Sequence, residues 1–167
     1  MKEIYLYQLN KELKLFLGIF LIVLSIGISI GLVYLYNTTS FSKSVTTERL
    51  IESNKKIEED FGINESPSRS TGELLMTIHN HIIGFSFIFF FVGGIFYFNS
   101  IVGGFWKMFL IIEPLLSTAI SFGSMLGVRF IGEIFIYLTI ISATLLYLSY
   151  FIMVSISIIE LTLKRPV

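Results

Sequence analysis

The sequence predicts an all-α protein: an integral membrane four-helix bundle with a short external helical segment between helices 1 and 2. Three observations carry that class. Of the 167 residues 54% are hydrophobic and only 14% charged, too few charges to coat a soluble core. Four apolar runs reach the roughly 20 residues that a helix needs to cross a hydrocarbon layer of about 30 Å. None of the four shows the strict alternation of a lipid-facing barrel strand, and backbone groups in lipid must pair within their own segment, so each reads as a helix. The bundle is read as one membrane domain over 1–167. The 12 basic residues balance the 12 acidic ones, leaving no net field to attract nucleic acid. The absence of Cys excludes disulfides, thiolate metal sites, iron–sulfur clusters and covalently attached c-type haem.

The first span, about 15–36, follows Lys2, Lys11 and Lys14. Its apolar stretch is about twice the length of a signal-peptide core, and Asn37-Thr38-Thr39-Ser40 is a poor cleavage site, so it reads as a retained anchor. The external segment, 37–73, is rich in charge of both signs. Within it Thr46-Thr47 offers an N-cap, Leu50, Ile51 and Ile57 leave a thin apolar stripe, and Phe61-Gly62 gives a stop, which predicts an amphipathic helix over 48–60. The second span, about 74–98, is introduced by Ser70-x-x-Glu73, the spacing of a capping box. Its many phenylalanines make it apolar on every side. The third, about 105–127, carries Lys107 at its entrance and Glu113 inside, and the fourth covers about 134–159. Lys2, Lys11, Lys14, Lys107, Lys164 and Arg165 all fall on one side of a four-span chain, which predicts two cytoplasmic termini and an outside 37–73 segment.

The only histidines are His79 and His81, near the outer end of the second span. Residues two apart on a helix point about 200° from each other, so the rings can serve two partners but cannot grip one ion together. The His-x-His spacing resembles that on a membrane helix of the haem–copper oxidases, whose two rings ligate two haems. That resemblance covers three residues and implies a haem b or a metal ion at His79 or His81. The chain has no further His for the opposite axial position, so a haem here would use Met76, Met125, five-coordinate iron or a second copy. The plain alternative is one ring bonded inside the bundle and the other among the headgroups.

Glu113-Pro114 is the second candidate, about 12 Å deep by helical rise. Pro114 removes a donor from the carbonyl of Leu110 and predicts a kink, and a carboxyl at this depth could exchange protons. Small proton-coupled multidrug exporters of four helices are similar in relying on a single membrane glutamate; theirs lies in the first helix, and they lack a segment like 37–73. The plain reading is a neutral Glu113 bonded to Tyr147 or Tyr150. Arg129 and Glu133, spaced i, i+4 at the outer end, predict an interfacial ion pair. With the histidines and Glu73, Arg129 could line an outer polar pocket suited to a quinone headgroup or a haem propionate.

Gly27-x-x-x-Gly31 and Gly123-x-x-x-Gly127 offer close backbone approach, while Trp106 and Tyr97 fit an interfacial belt. No P-loop, Gly-x-Gly-x-x-Gly, His-Glu-x-x-His or nucleophile with a positioned base is present, so no catalytic residue is assigned. The whole chain resembles small bacterial four-span membrane proteins with a charged outer segment and a His-Asn-His opening the second helix, which implies a place in the inner membrane. The expectation is a non-catalytic accessory or redox-associated subunit that contacts lipid and other membrane subunits or copies of itself. A small oligomeric proton-coupled transporter using Glu113, or a purely structural membrane protein, are the alternatives.

Overall fold

The computed structural model describes residues 4–51 and 70–163, and every regular element among them is helical. A 3-10 turn, Leu6–Gln8, precedes α1 (Lys11–Thr39) and α2 (Lys43–Leu50); three long helices follow, α3 (Thr71–Tyr97), α4 (Gly104–Phe130) and α5 (Phe135–Leu163). Four of them, α1 and α3–α5, are long and apolar enough to cross a membrane.

Two of the long helices, α1 and α3, start where a side chain supplies a partner for their free N–H groups. The Asn10 side chain accepts from Leu13 N at 2.9 Å to open α1. Ser70 and Glu73 form the reciprocal capping box of α3, with Ser70 N to Glu73 Oε2 at 2.9 Å and Glu73 N to Ser70 Oγ at 3.2 Å. The chain enters α4 through Gly104 at φ 60, a left-handed conformation that a side chain would oppose.

The short helix between the first two spans differs from the one the sequence suggests over 48–60. It begins at Lys43 and has ended by Ile51, whose φ of −81° and ψ of 130° are extended. Positions 52–60 lie outside the described residues. The cause is hydrogen bonding. The Thr46 hydroxyl turns back to the Ser42 carbonyl, 2.8 Å away, inside the helix, so Thr46 does not cap a later start. The carbonyl of Leu50 is taken by Arg129 of α4 at 2.8 Å, just where the helix stops.

Hydrogen bonds between elements define the two ends of the bundle. At one, here the terminal face, Leu6 N donates to Phe98 O at 2.9 Å and Glu160 near the end of α5 meets the α3–α4 turn. At the other, the α2 face, Lys43 Nζ reaches the Tyr137 hydroxyl at 2.8 Å and Arg129 joins α4 to Leu50 and Thr71. The four long helices therefore run alternately up and down.

α4 packs most extensively on α5, and α3 lies against both. Near the terminal face the core gathers Phe89, Val92, Phe96, Leu110, Tyr150 and Met153; toward α2 it gathers Leu50, Leu74, Ile78, Phe122, Val128 and Ile136. α1 rests mainly on α5, burying Leu21 and Ile28 and joining Ser25 Oγ to the Tyr150 hydroxyl at 3.1 Å. Its remaining apolar surface is almost entirely uncovered by the chain. Lipid is as apolar as leucine, so close packing and hydrogen bonds hold such helices together. Of the glycines in the two Gly-x-x-x-Gly patterns, only Gly127 is closely approached; Gly27, Gly31 and Gly123 face open space.

Candidate functional site

A carboxyl, that of Glu113, is buried between α4 and α5 among hydroxyl side chains. It lies nine residues beyond Gly104, the first residue of α4, or about 14 Å along the helix, and is 8% exposed. Ser117, one turn further on, donates its hydroxyl to Oε1. Ser149, midway along α5, donates to Oε2 at 2.5 Å. The tyrosines are engaged elsewhere: Tyr150 with Ser25, while Tyr147 stands edge-on to Phe85. Pro114 is buried within the helix, and its carbonyl accepts from Thr118 Oγ1 at 2.7 Å.

From Glu113 a line of buried hydroxyls continues toward the α2 face. Ser121 and Ser124 follow Ser117 on α4, and Thr139 and Ser142 face them from α5. Ser124 Oγ and Thr139 Oγ1 are 2.6 Å apart, and Ser121 Oγ reaches the Thr139 carbonyl at 3.4 Å. Toward the terminal face the lining turns apolar, with Leu110 and Met153. Proline, serine and small residues on the facing sides of α4 and α5 let the two backbones approach and give the carboxyl its partners.

The histidine pair is arranged as helical geometry requires. His79 and His81 both stand exposed at the start of α3. The His81 Nδ1 lies 2.8 Å from the Thr77 carbonyl, which can only accept, so in the neutral ring Nδ1 carries the proton and Nε2 the lone pair. The His81 ring packs on Phe122 of α4, centroids 5.1 Å apart, and on Phe85 at 6.2 Å. Met76 is exposed and lies one helical turn before His79. No group of three or more potential ligands is gathered among the described residues.

Arg129 does not make the local pair that its spacing suggests. α4 ends at Phe130 and α5 begins at Phe135, so Arg129 and Glu133 flank a turn and share no helical face. The guanidinium goes instead to the Leu50 carbonyl and to Thr71 Oγ1, at 2.8 and 3.0 Å, tying α2 and α3 to α4; Glu133 is exposed. Glu73 is held in its capping box.

A second buried carboxylate, Glu160, escapes a reading based on apolar runs because it lies one position beyond the fourth. It is fully buried and accepts from Asn99 Nδ2 at 2.5 Å, Ser100 N at 2.7 Å and Ser100 Oγ at 2.7 Å. Asn99 Oδ1 in turn accepts from Ile101 N and Val102 N, and Lys107 Nζ donates to the Asn99 carbonyl at 2.6 Å. The signal was available as an Asn-Ser turn between two spans and an acid at the matching end of a third.

Fold and site together define an α-helical integral membrane protein with a carboxyl at the heart of its helix packing. The chain belongs to a family described as a transmembrane helical domain, whose model matches residues 53–167, taking in α3, α4 and α5 and leaving α1 outside. No curated protein and no solved structure matches it.

Proposed function

We propose that this is a non-catalytic, proton-handling membrane protein, an accessory or redox-associated subunit of a larger membrane complex in the bacterial inner membrane, with Glu113 as its working group. One observation carries the reading: among the described residues, the hydrogen-bond partners of this buried carboxyl are the hydroxyls of Ser117 and Ser149. A hydroxyl can donate to a carboxylate or, after turning, accept from a carboxylic acid, so the site holds either protonation state without leaving a buried group unpaired. Glu160 makes the contrast, since two of its three donors are N–H groups that cannot reverse. A charge near the middle of a membrane helix costs roughly 2.5–3.5 kcal/mol on insertion scales, so a carboxyl placed there reads first as functional. Among the described residues no titratable or charged side chain bonds to it: α3 presents Phe85, Phe89 and Val92 to this core, and α5 presents Tyr147 and Tyr150. The Lys and Arg distribution supports cytoplasmic termini.

The test is infrared spectroscopy of the protein in nanodiscs. A carboxylic acid carbonyl band should change with pH in the wild type and be missing in Glu113→Gln; a band that is absent, or identical in the variant, removes the proton role. In sealed vesicles loaded with a pH dye, an accessory subunit conducts no protons by itself. Flux that requires Glu113 would move the assignment to an oligomeric proton-coupled transporter.

A second reading rests on His81. Its Nδ1–H bond to the Thr77 carbonyl is the arrangement that commonly orients a metal-ligating imidazole, leaving Nε2 for a haem b iron or a metal ion. His79, Met76 and Arg129 would supply the neighbouring contacts from their own faces of α3 and α4.

A further inference from the structure

Between α4 and α5 a groove of about 610 Å³ opens toward the lipid, running from the α3–α4 turn at the terminal face to the middle of α5. Its walls include Trp106, Phe109, Leu145, Leu148 and Ile152; Ser149 supplies its one hydroxyl, and the Trp106 indole N–H is the other side-chain donor of the lining. Ser149 is 4% exposed, and its hydroxyl is the group bonded to Glu113 Oε2. The groove and the carboxyl therefore share a single hydrogen-bonding atom.

We propose that this groove binds a membrane-soluble carbonyl compound of the quinone class, whose ring carbonyl accepts a hydrogen bond from Ser149 when Glu113 carries a proton. The inference rests on the proton-handling reading and extends it to a ligand. Its volume lies within the range of about 300–1,000 Å³ usual for small-molecule sites. No charged side chain lines the groove, so a phosphate or ammonium head would lose water and gain no counter-charge. The occupant is therefore neutral. The wall is apolar and aromatic over most of its length, as a flat ring with a hydrocarbon tail requires. One polar contact at the inner end sets the position of one polar atom.

The sense of that contact follows from Glu113. While the carboxyl is ionised, the Ser149 hydrogen points to Oε2, and only an oxygen lone pair is left for the groove. Once the carboxyl is protonated on Oε2 it donates to the Ser149 oxygen, and the serine hydrogen is released to a ligand acceptor in the groove. A carbonyl is thus bound in one protonation state and disfavoured in the other. This site lies at the opposite end of the bundle from the histidines.

Trp106 is the only tryptophan of the chain and lies in the groove wall, so its fluorescence reports occupancy directly. The experiment titrates a decyl-tailed benzoquinone into wild-type protein in phosphatidylcholine nanodiscs. Expected are saturable quenching of Trp106, weakening of about fivefold in Ser149→Ala, the worth of one neutral hydrogen bond, and recovery in Ser149→Thr, which keeps the hydroxyl. Ile152→Phe, which fills the groove, should abolish saturation. 1-Bromodecane, a quencher without a carbonyl, should quench the wild type and Ser149→Ala equally. Quinone quenching that rises linearly with membrane concentration and is the same in all four proteins would mean simple partitioning and overturn the proposal. If quenching is linear while the Glu113 infrared band still responds to pH, the ligand falls and the proton reading stands. If quenching saturates while the band ignores pH, the groove stands as a site and the coupling to Glu113 falls.

Discussion

Gly127 faces the ring of Phe135 so closely that a Cβ on the glycine would stand 2.5 Å from Cδ1 and 2.6 Å from Cγ. These two residues lie on either side of the α4–α5 turn and set how sharply the chain reverses there. Ring carbons are attached to a helix and cannot swing away cheaply. Gly127→Ala is therefore expected to destabilise the protein by roughly 1–3 kcal/mol, the usual cost of overpacking. Gly123→Ala, with open space around it, should be close to neutral. Phe135→Ala in the Gly127→Ala background should recover part of the loss, read as the unfolding midpoint in detergent and denaturant.

The two buried glutamates should respond in opposite ways. Glu160→Ala removes the acceptor of Asn99 Nδ2, Ser100 N and Ser100 Oγ, and a loss of about 3 kcal/mol is expected. Glu160→Gln should lose less, because an amide oxygen still accepts. Glu113→Leu removes a carboxyl from mid-membrane while Ser117 and Ser149 can turn to backbone carbonyls of their own helices. It should leave stability unchanged or raise it by about 1–3 kcal/mol. A loss of stability in Glu113→Leu comparable to that in Glu160→Ala would make Glu113 a structural group.

How much of this was legible depends on whether a feature is local. The four spans, the Ser70–Glu73 box and the candidate status of Glu113 follow from short stretches of sequence, because membrane crossing and capping are decided within one helix. The partners of Glu113 are not legible. Tyr147 and Tyr150 lie at a comparable depth to Ser149, and choosing among them requires the rotation of α5 about its axis, which packing alone decides. Arg129 was misread for a related reason: i, i+4 spacing implies contact only if the helix continues, and here it stops at Phe130. Glu160 was missed because its worth lies wholly in a turn about sixty residues away.

Orientation can be read with cysteines, since the chain has none of its own. Ser44→Cys on α2 should react with an impermeant maleimide in intact cells, and Thr162→Cys near the end of α5 should react only after the membrane is opened. The reverse pattern would invert the topology.

If His81 holds haem or a metal ion, added haemin or cobalt should produce an absorption change that is lost in His81→Ala and retained in His79→Ala, because only His81 has its second nitrogen oriented by a carbonyl. The signal should weaken on acidification, since a protonated imidazole has no lone pair to give. An identical spectrum in both variants would place the ligand elsewhere.

The knot that Glu160 ties with Asn99 and Ser100 also bears on how the chain is made. Asn99 precedes Glu160 by 61 residues, about 3–12 s of synthesis at 5–20 residues per second. During that interval α3 and α4 can enter the bilayer as a hairpin, but the turn that joins them has no carboxylate to close on. Arrival of α5 supplies it, so the hairpin is completed only after residue 160 has left the ribosome. A chain truncated just before residue 160 would keep all four spans and still have an unclosed turn, a difference that a membrane quality-control protease could read.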